Sequence, residues 1–202
     1  MQLNQGVSKL KMIKMIGVLA MAAIVSACSS HAPNSNYEMV IGNKNPEVVT
    51  ASFVQWNAEY AVTAKHNKYP ESPEYVSETV DLVFFKNKPN DKFNPAIEWR
   101  NPKADEEVIH VGPKANGLTV ELRGTFIKDE VEFKDGRYAI SSSRTIGGMS
   151  GGPVYSADKT AILGMSVGRD QNIKINDVVY ENVAVFVDSG TIQEEWDKFQ
   201  KQ

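Results

Sequence analysis

Apolar and polar positions between residues 47 and 190 switch over short distances, and the dominant period is two. "VVTASFVQWNAEYAVTAKH" holds two β-rich runs on either side of "WNAEY" and reads as a hairpin. "YVSETVDLVFFK" is a further strand, strongly apolar at its end. "KNKPNDKFNPAIEWRNPKAD" follows, with three prolines and no regular period, and marks a boundary between two lobes. The rhythm then resumes in "EVIHVG", "LTVELRGTFI", "VEFKDGRYAI", "GPVYS", "AILGMSVG" and "VVYENVAVFV". "KDGR" is a good hairpin turn. Many short strands at near-regular spacing predict an all-β sandwich or barrel. Only the tail changes period. In "TIQEEWDKFQKQ", Thr191 and Glu194 form a capping box, and Ile192, Trp196 and Phe199 recur at i, i+4 and i+7. That predicts a helix over 191–202 whose aromatic stripe packs on the β structure.

The first 46 residues follow neither period. Lys9, Lys11 and Lys14 precede "MIGVLAMAAIVSA", an apolar run too short to favour a membrane span. This has the form of an export leader. Residues 29–46 are polar, with scattered Pro, Gly and Asn, and read as a tether. Cys28 is the only cysteine, so no internal disulfide is possible and the core must hold the fold together. The chain of 202 residues has a formal charge of −3. Removing residues 1–27 takes away three of 22 basic residues and none of 25 acidic ones, leaving −6. No basic block remains outside the leader, which argues against nucleic acid as a partner.

The candidate chemistry lies in "GGMSGGPVYS", residues 147–156. A serine hydroxyl needs a base to take its proton and an acid to orient that base. It also needs backbone N–H donors for the developing oxyanion, and glycines let a substrate reach them. Gly148 and Ser150 would supply those donors. The chain has three histidines: His31 in the tether, His110 inside "VIHVG", and His66 at the end of "YAVTAKH". Asp81 lies 15 residues after His66, before four apolar residues, with Glu74 and Glu78 as nearby alternative acids.

These segments carry two resemblances. Val25-Ser26-Ala27-Cys28 resembles the lipobox of bacterial lipoproteins, which implies cleavage before Cys28 and lipidation of that residue. Ser29 is not the aspartate linked to inner-membrane retention, so an outer-membrane anchor facing the periplasm is implied if the cell is Gram-negative. "YAVTAKH", "VDLVFFK" and "GGMSGGPV" resemble, in order, the His, Asp and Ser motifs of trypsin-like (chymotrypsin-fold) serine proteases. The resemblance spans roughly residues 47–190. It implies two six-stranded antiparallel β-barrels, about 47–100 and 105–190, with the active site between them.

It further implies His66 as general base, Asp81 as its orienting acid and Ser150 as nucleophile, with no metal or cofactor. Met149 stands where the digestive enzymes carry the aspartate of zymogen activation, so that ion pair cannot form. Asn67 replaces the family's cysteine beside the histidine. Arg144 falls where the pocket floor usually lies and would favour acidic side chains. Thr145 matches a pocket threonine of glutamyl-specific relatives, whereas Ser166 stands in place of their later pocket histidine. Ser166, Val167 and Gly168 would form the edge that pairs with an extended peptide. The expected function is a lipid-anchored serine endopeptidase acting on protein or peptide. The alternative is a protease-like domain that binds such a partner and does not cut it.

Overall fold

The structure is a computed structural model, and it describes residues 35–41, 49–67, 72–114 and 118–202. The leader over 1–27, Cys28, His31 and most of the tether lie outside the described residues, but Tyr37–Ile41, expected as tether, is a strand paired with the first lobe. The first lobe is a five-stranded sheet among the described residues. It contains β1 (Tyr37–Ile41), β2 (Val49–Gln55), β3 (Tyr60–Thr63), β4 (Tyr75–Val76) and β5 (Val83–Lys86), in the order β1-β2-β3-β5-β4. The expected hairpin is present, with Val54 opposite Val62. Both faces of the sheet are covered. Val54, Val62 and Phe84 point into the large core, while Ala51, Phe53, Ala61 and Phe85 form a separate cluster on the other side.

"YVSETVDLVFFK" is not one strand. The Ser77 hydroxyl accepts the N–H groups of Thr79 and Val80, each at 3.1 Å. This side-chain turn competes with the strand ladder, so residues 77–82 form a loop between β4 and β5.

The second lobe contains β6 (Glu98–Trp99), β7 (Glu107–Pro113), β8 (Thr119–Phe133), β9 (Gly136–Ser141), β10 (Pro153–Ser156), β11 (Ala161–Ile175) and β12 (Val178–Asp188). Strands β10-β7-β8-β9-β12-β11 pair in sequence, and β10 also pairs with β11, which closes a six-stranded barrel. β6 adds in parallel to the edge of β11. The two segments "LTVELRGTFI" and "VEFKDGRYAI" meet in the single long strand β8, whose register shifts between Phe126 and Val131. Such bulges bend a strand without ending it. The interior is filled from every barrel strand by Val108, Phe126, Ala139, Val154, Ala161, Leu163 and Phe186. Residues of alternate parity, such as Ile109, Val111 and Ile140, join Val62, Leu82 and Phe84 in one core between the lobes.

The helix α1 (Ser189–Phe199) begins two residues before the expected start. Asp188, not Thr191, is its N-cap: Asp188 Oδ1 accepts the Thr191 N–H at 3.0 Å. Ile192 is fully buried, and Trp196 and Phe199 stack on the first lobe. Ring centroids of Trp196 lie 5.1 Å from both Phe84 and Tyr60. A helix that continues the last strand of the barrel is therefore docked on the other lobe.

Candidate active site

His66 follows β3, in a turn closed by the Asn67 N–H to the Ala64 carbonyl at 3.0 Å. The apolar run before it ends in buried Ala64, while the His66 side chain stays half exposed. Asp81, 7% exposed, faces it from the 77–82 loop. Its Oδ2 is hydrogen-bonded to His66 Nδ1, and its Oδ1 accepts the His66 backbone N–H at 3.0 Å. One carboxylate thus fixes both the ring and the main chain of the histidine. A proton on Nδ1 leaves Nε2 as the free acceptor. The hydrogen bond from Asp81 raises the His66 pKa above its ordinary value, against the opposing effect of burial. For Asp81, burial pushes the carboxyl up, but the bonds and charge of His66 and the nearby Lys65 outweigh it and hold the group below its usual range. Glu74 pairs instead with Lys86 at 3.3 Å on the surface. Asp81 is also gripped from the other lobe, since its N–H donates to Tyr138 Oη at 2.8 Å.

Ser150 sits in a tight turn between β9 and β10. The Met149 N–H donates to the Ile146 carbonyl at 3.1 Å, and the Gly152 N–H to the Met149 carbonyl at 2.9 Å. Gly148 and Gly151 have φ of +95° and +87°, a region that side chains other than glycine's rarely enter. Met149 is fully buried against Gly112, where a Cβ would collide with it. Apolar burial of Met149 is thus how the turn is held in a chain that lacks an aspartate there. First-lobe groups hold the turn from outside. The Ser150 carbonyl accepts the Ser52 N–H at 3.0 Å and the Asn67 side-chain amide at 2.8 Å. Ser52 Oγ donates to the Gly148 carbonyl at 2.8 Å. Among the described residues, the N–H groups of Gly148 and Ser150 have no hydrogen-bond partner.

The Ser150 hydroxyl does not bond to His66. It donates to the Val167 carbonyl at 2.8 Å. Val167 is the extra residue of a bulge in β11, between the Ser166–Phe186 and Gly168–Val185 pairs. Around it the turn and strand are laced together. The Gly151 N–H donates to the Ser166 carbonyl at 2.7 Å, and the Ser166 N–H to the Gly152 carbonyl at 2.8 Å.

The other expected binding residues differ in exposure. The Arg144 side chain is exposed and Thr145 is buried. A Cβ at Gly168 would meet open space. The Ser166 side chain turns into the barrel, where its hydroxyl bonds His110 Nδ1 at 2.7 Å. His110 Nε2 bonds Ser141 Oγ at 2.9 Å. His110 is thus the middle of a buried polar bridge across the barrel. Burial pushes its pKa down to about 3, so the ring is neutral. Among the described residues, no three His, Cys, Asp or Glu side chains cluster as metal ligands.

Sequence reasoning did not find Ser52, Tyr138 or the bridging role of His110. Ser52 reads as an ordinary strand residue, and the hydrogen bond of its hydroxyl spans 96 positions. Tyr138 offered a faint signal, because a buried tyrosine keeps its hydroxyl near a polar group.

No family model matches the sequence, and it has no match among curated proteins. The fold does have relatives among solved structures. Rv3671c protease of M. tuberculosis, in an inactive form, superimposes with a TM-score of 0.60 at 12% identity, over 85% of this chain and 92% of that one. The MamO protease domain of Magnetospirillum magneticum, in its apo form, gives 0.58 at 16% identity, over 82% and 97%. The HtrA-type protease AlgW with a decapeptide gives 0.60 at 12% identity, over 83% and 63%. The fold is that of the trypsin-like serine proteases. At these identities the likeness speaks for the fold, and the chemistry rests on the side chains of this chain.

Proposed function

We propose that this chain is a serine endopeptidase that cleaves extended peptides through an acyl-enzyme. Ser150 Oγ attacks the peptide carbonyl as His66 Nε2 takes its proton. The oxyanion is received by the Gly148 and Ser150 N–H groups. The C–N bond then breaks, and His66 returns the proton to the leaving amine. Water, activated by His66, hydrolyses the ester and regenerates Ser150. The observation that carries this reading is the double hold of Asp81 on the ring and backbone of His66, whose neighbour Asn67 bonds the Ser150 carbonyl. The half-exposed strand edge at Val167 and Gly168 suits an extended peptide, with Ser166 holding the edge to the nucleophile turn. Arg144, exposed beside buried Thr145, would favour acidic side chains near the scissile bond. Cys28 would carry the lipid anchor and place the domain at the cell envelope, facing the periplasm from the outer membrane if the cell is Gram-negative. Acyl chains bind by burying methylenes, each about 0.8 kcal/mol, so more than one chain makes the attachment stable.

Labelling of the purified full chain with a fluorophosphonate tests the reaction. Stoichiometric modification of Ser150 that His66→Ala abolishes is the expected result. A folded protein that never labels, with or without peptide, would point to the second reading. In that reading the domain binds a peptide or protein partner without cutting, and the bond from Ser150 to Val167 in place of His66 is what favours it.

A further inference from the structure

The proposed reaction uses no group of α1, yet α1 carries the most buried carboxylate among the described residues. Glu195 is 2% exposed, against 7% for Asp81 and 9% for Asp188. An ionised carboxylate is costly to bury and is kept only where it is paired. Docking of the helix does not require it, because Ile192, Trp196 and Phe199 already supply the apolar contact with the first lobe.

The partners of Glu195 show what it does instead. Oε2 accepts the Tyr75 hydroxyl at 2.8 Å, and Oε1 accepts the Thr79 hydroxyl at 2.9 Å. Lys198, one turn along the helix, donates to Oε1 at 2.5 Å and balances the charge. Tyr75 lies on β4, just before the 77–82 loop, and Thr79 lies inside it, two residues from Asp81. The carboxylate therefore ties the start of the loop to its middle. The loop is held at other points too. The Ser77 N–H donates to the Leu82 carbonyl at 3.0 Å, the Leu82 N–H to the Val80 carbonyl at 2.9 Å and the Asp81 N–H to Tyr138 Oη at 2.8 Å. Val80 and Leu82 are buried, but Glu195 is the group that joins Tyr75 to Thr79. The Ser77 hydroxyl closes a local turn, and Lys65 Nζ donates to the Ser77 carbonyl at 3.0 Å. The Gly136 backbone is seated so closely on the Thr79 carbonyl that a Cβ would overlap it.

We propose that Glu195 is a positioning residue of this peptidase, which fastens the 77–82 loop to the C-terminal helix so that Asp81 meets His66. The inference rests on the peptidase reading for its consequence in catalysis, and on the loop geometry alone for its consequence at His66. Glu195→Gln keeps the shape of the side chain but can no longer accept from Tyr75, Thr79 and Lys198 together. The loop then loosens, and Asp81 holds His66 less tightly.

The test compares wild type, Glu195→Gln and Thr79→Val in the full chain. The first readout is the titration of the His66 ring, followed by NMR. Both variants should move its midpoint down from the raised native value, toward the ordinary value of about 6.5. The second readout is fluorophosphonate labelling of Ser150, which should slow about ten- to a hundredfold, as small misplacements of reacting groups do. The double variant should be no slower than the worse single one, because both break the same link. Thr79→Val leaves the helix intact, so it carries the test if Glu195→Gln fails to fold. An unchanged His66 midpoint in Thr79→Val, with labelling as fast as wild type, overturns the proposal and leaves Glu195 as a helix anchor. If wild type itself does not label, the peptidase reading fails, and the His66 titration still decides whether Glu195 sets the geometry of the loop.

Discussion

Replacing Gly151 by alanine places one methyl group against three first-lobe atoms. It would overlap the Ser52 carbonyl oxygen and Thr63 Oγ1 and stand 2.9 Å from Asn67 Nδ2. The Ser52 carbonyl and Asn67 are backed by Thr63 Oγ1, which bonds both, so none of the three gives way easily. The residue also keeps a φ of +87°, and a left-handed conformation costs an L-residue about 1–2 kcal/mol. Overpacking by one methyl adds about 1–3 kcal/mol. Together the loss is about 2–5 kcal/mol, and at about 2–4 °C per kcal/mol for a domain of this size Tm falls by about 4–20 °C. Gly168 and Gly147 are the internal controls. A Cβ at either meets no heavy atom within 4 Å, so each alanine variant should stay within about 0.5 kcal/mol of wild type. Urea unfolding checks this, with the midpoint shifting at constant m. A Gly151→Ala protein as stable as wild type, or a Gly168→Ala protein as unstable as Gly151→Ala, would refute the view that the turn is seated on the first lobe.

His110→Leu strands the buried hydroxyls of Ser141 and Ser166, and each should cost about 1–3 kcal/mol. Because burial depresses the native His110 pKa to about 3, the unfolded chain binds the extra proton below about 6.5. Wild type should therefore lose stability as pH falls from about 6.5 toward 3, and urea melts of His110→Leu should show a flatter profile. His66 works in the opposite sense. Its raised native pKa gives stability that is fully present below about 6.5 and is lost as pH rises through the native value. Labelling of Ser150 needs neutral His66, so its rate should rise over that same upper range, and Asp81→Asn should cut it by about 10⁴-fold, as in a known triad. Tyr138→Phe removes the acceptor of the Asp81 N–H, together with a long 3.4 Å bond to the Asp135 carbonyl, and should destabilise by about 1–3 kcal/mol in urea melts; no change would show that the Asp81 N–H finds another partner.

The second lobe was largely legible in the sequence because its strands are short apolar runs bounded by turn signals: β7, β9 and β10 are buried on both faces and read as near-continuous runs, while β8 alternates. The "KDGR" turn, "VIHVG" and "GPVYS" fall where their local chemistry predicts. Local chemistry also explains the failures. Asp188 caps α1 because two carboxylate oxygens reach both the N–H and the hydroxyl of Thr191, so the Thr191–Glu194 box has no orphan donor left to satisfy. The strand read through "YVSETVDLVFFK" breaks at Ser77, whose hydroxyl satisfies two N–H groups that a ladder would otherwise claim. His66, Asp81 and Ser150 could be singled out because serine chemistry demands those residue types in a known order. Ser52, Tyr138 and Glu195 could not. Each acts through one or two hydrogen bonds to a residue 57 or more positions away, and no period or motif records such a bond.

Those long-range bonds share a direction. The carbonyl of Ser150, a second-lobe residue, is held by the Ser52 N–H and the Asn67 amide of the first lobe. The N–H of Asp81, a first-lobe residue, is held by Tyr138 of the second. The helix that ends the second lobe places Glu195 on the loop of the first. Each lobe therefore fixes the reactive segment of the other and leaves its own to be fixed in return. Each lobe also closes its own segment locally, as the Gly151 N–H does on the Ser166 carbonyl and the Ser77 N–H on the Leu82 carbonyl, but the bonds to the Ser150 carbonyl and from the Asp81 N–H cross between the lobes. The site can assemble only when the shared core, with Val62 and Phe84 on one side and Ile109 and Ile140 on the other, has closed. In a chain whose single cysteine can form no internal disulfide, this crosswise bonding couples the geometry of the site to the packing of the whole domain.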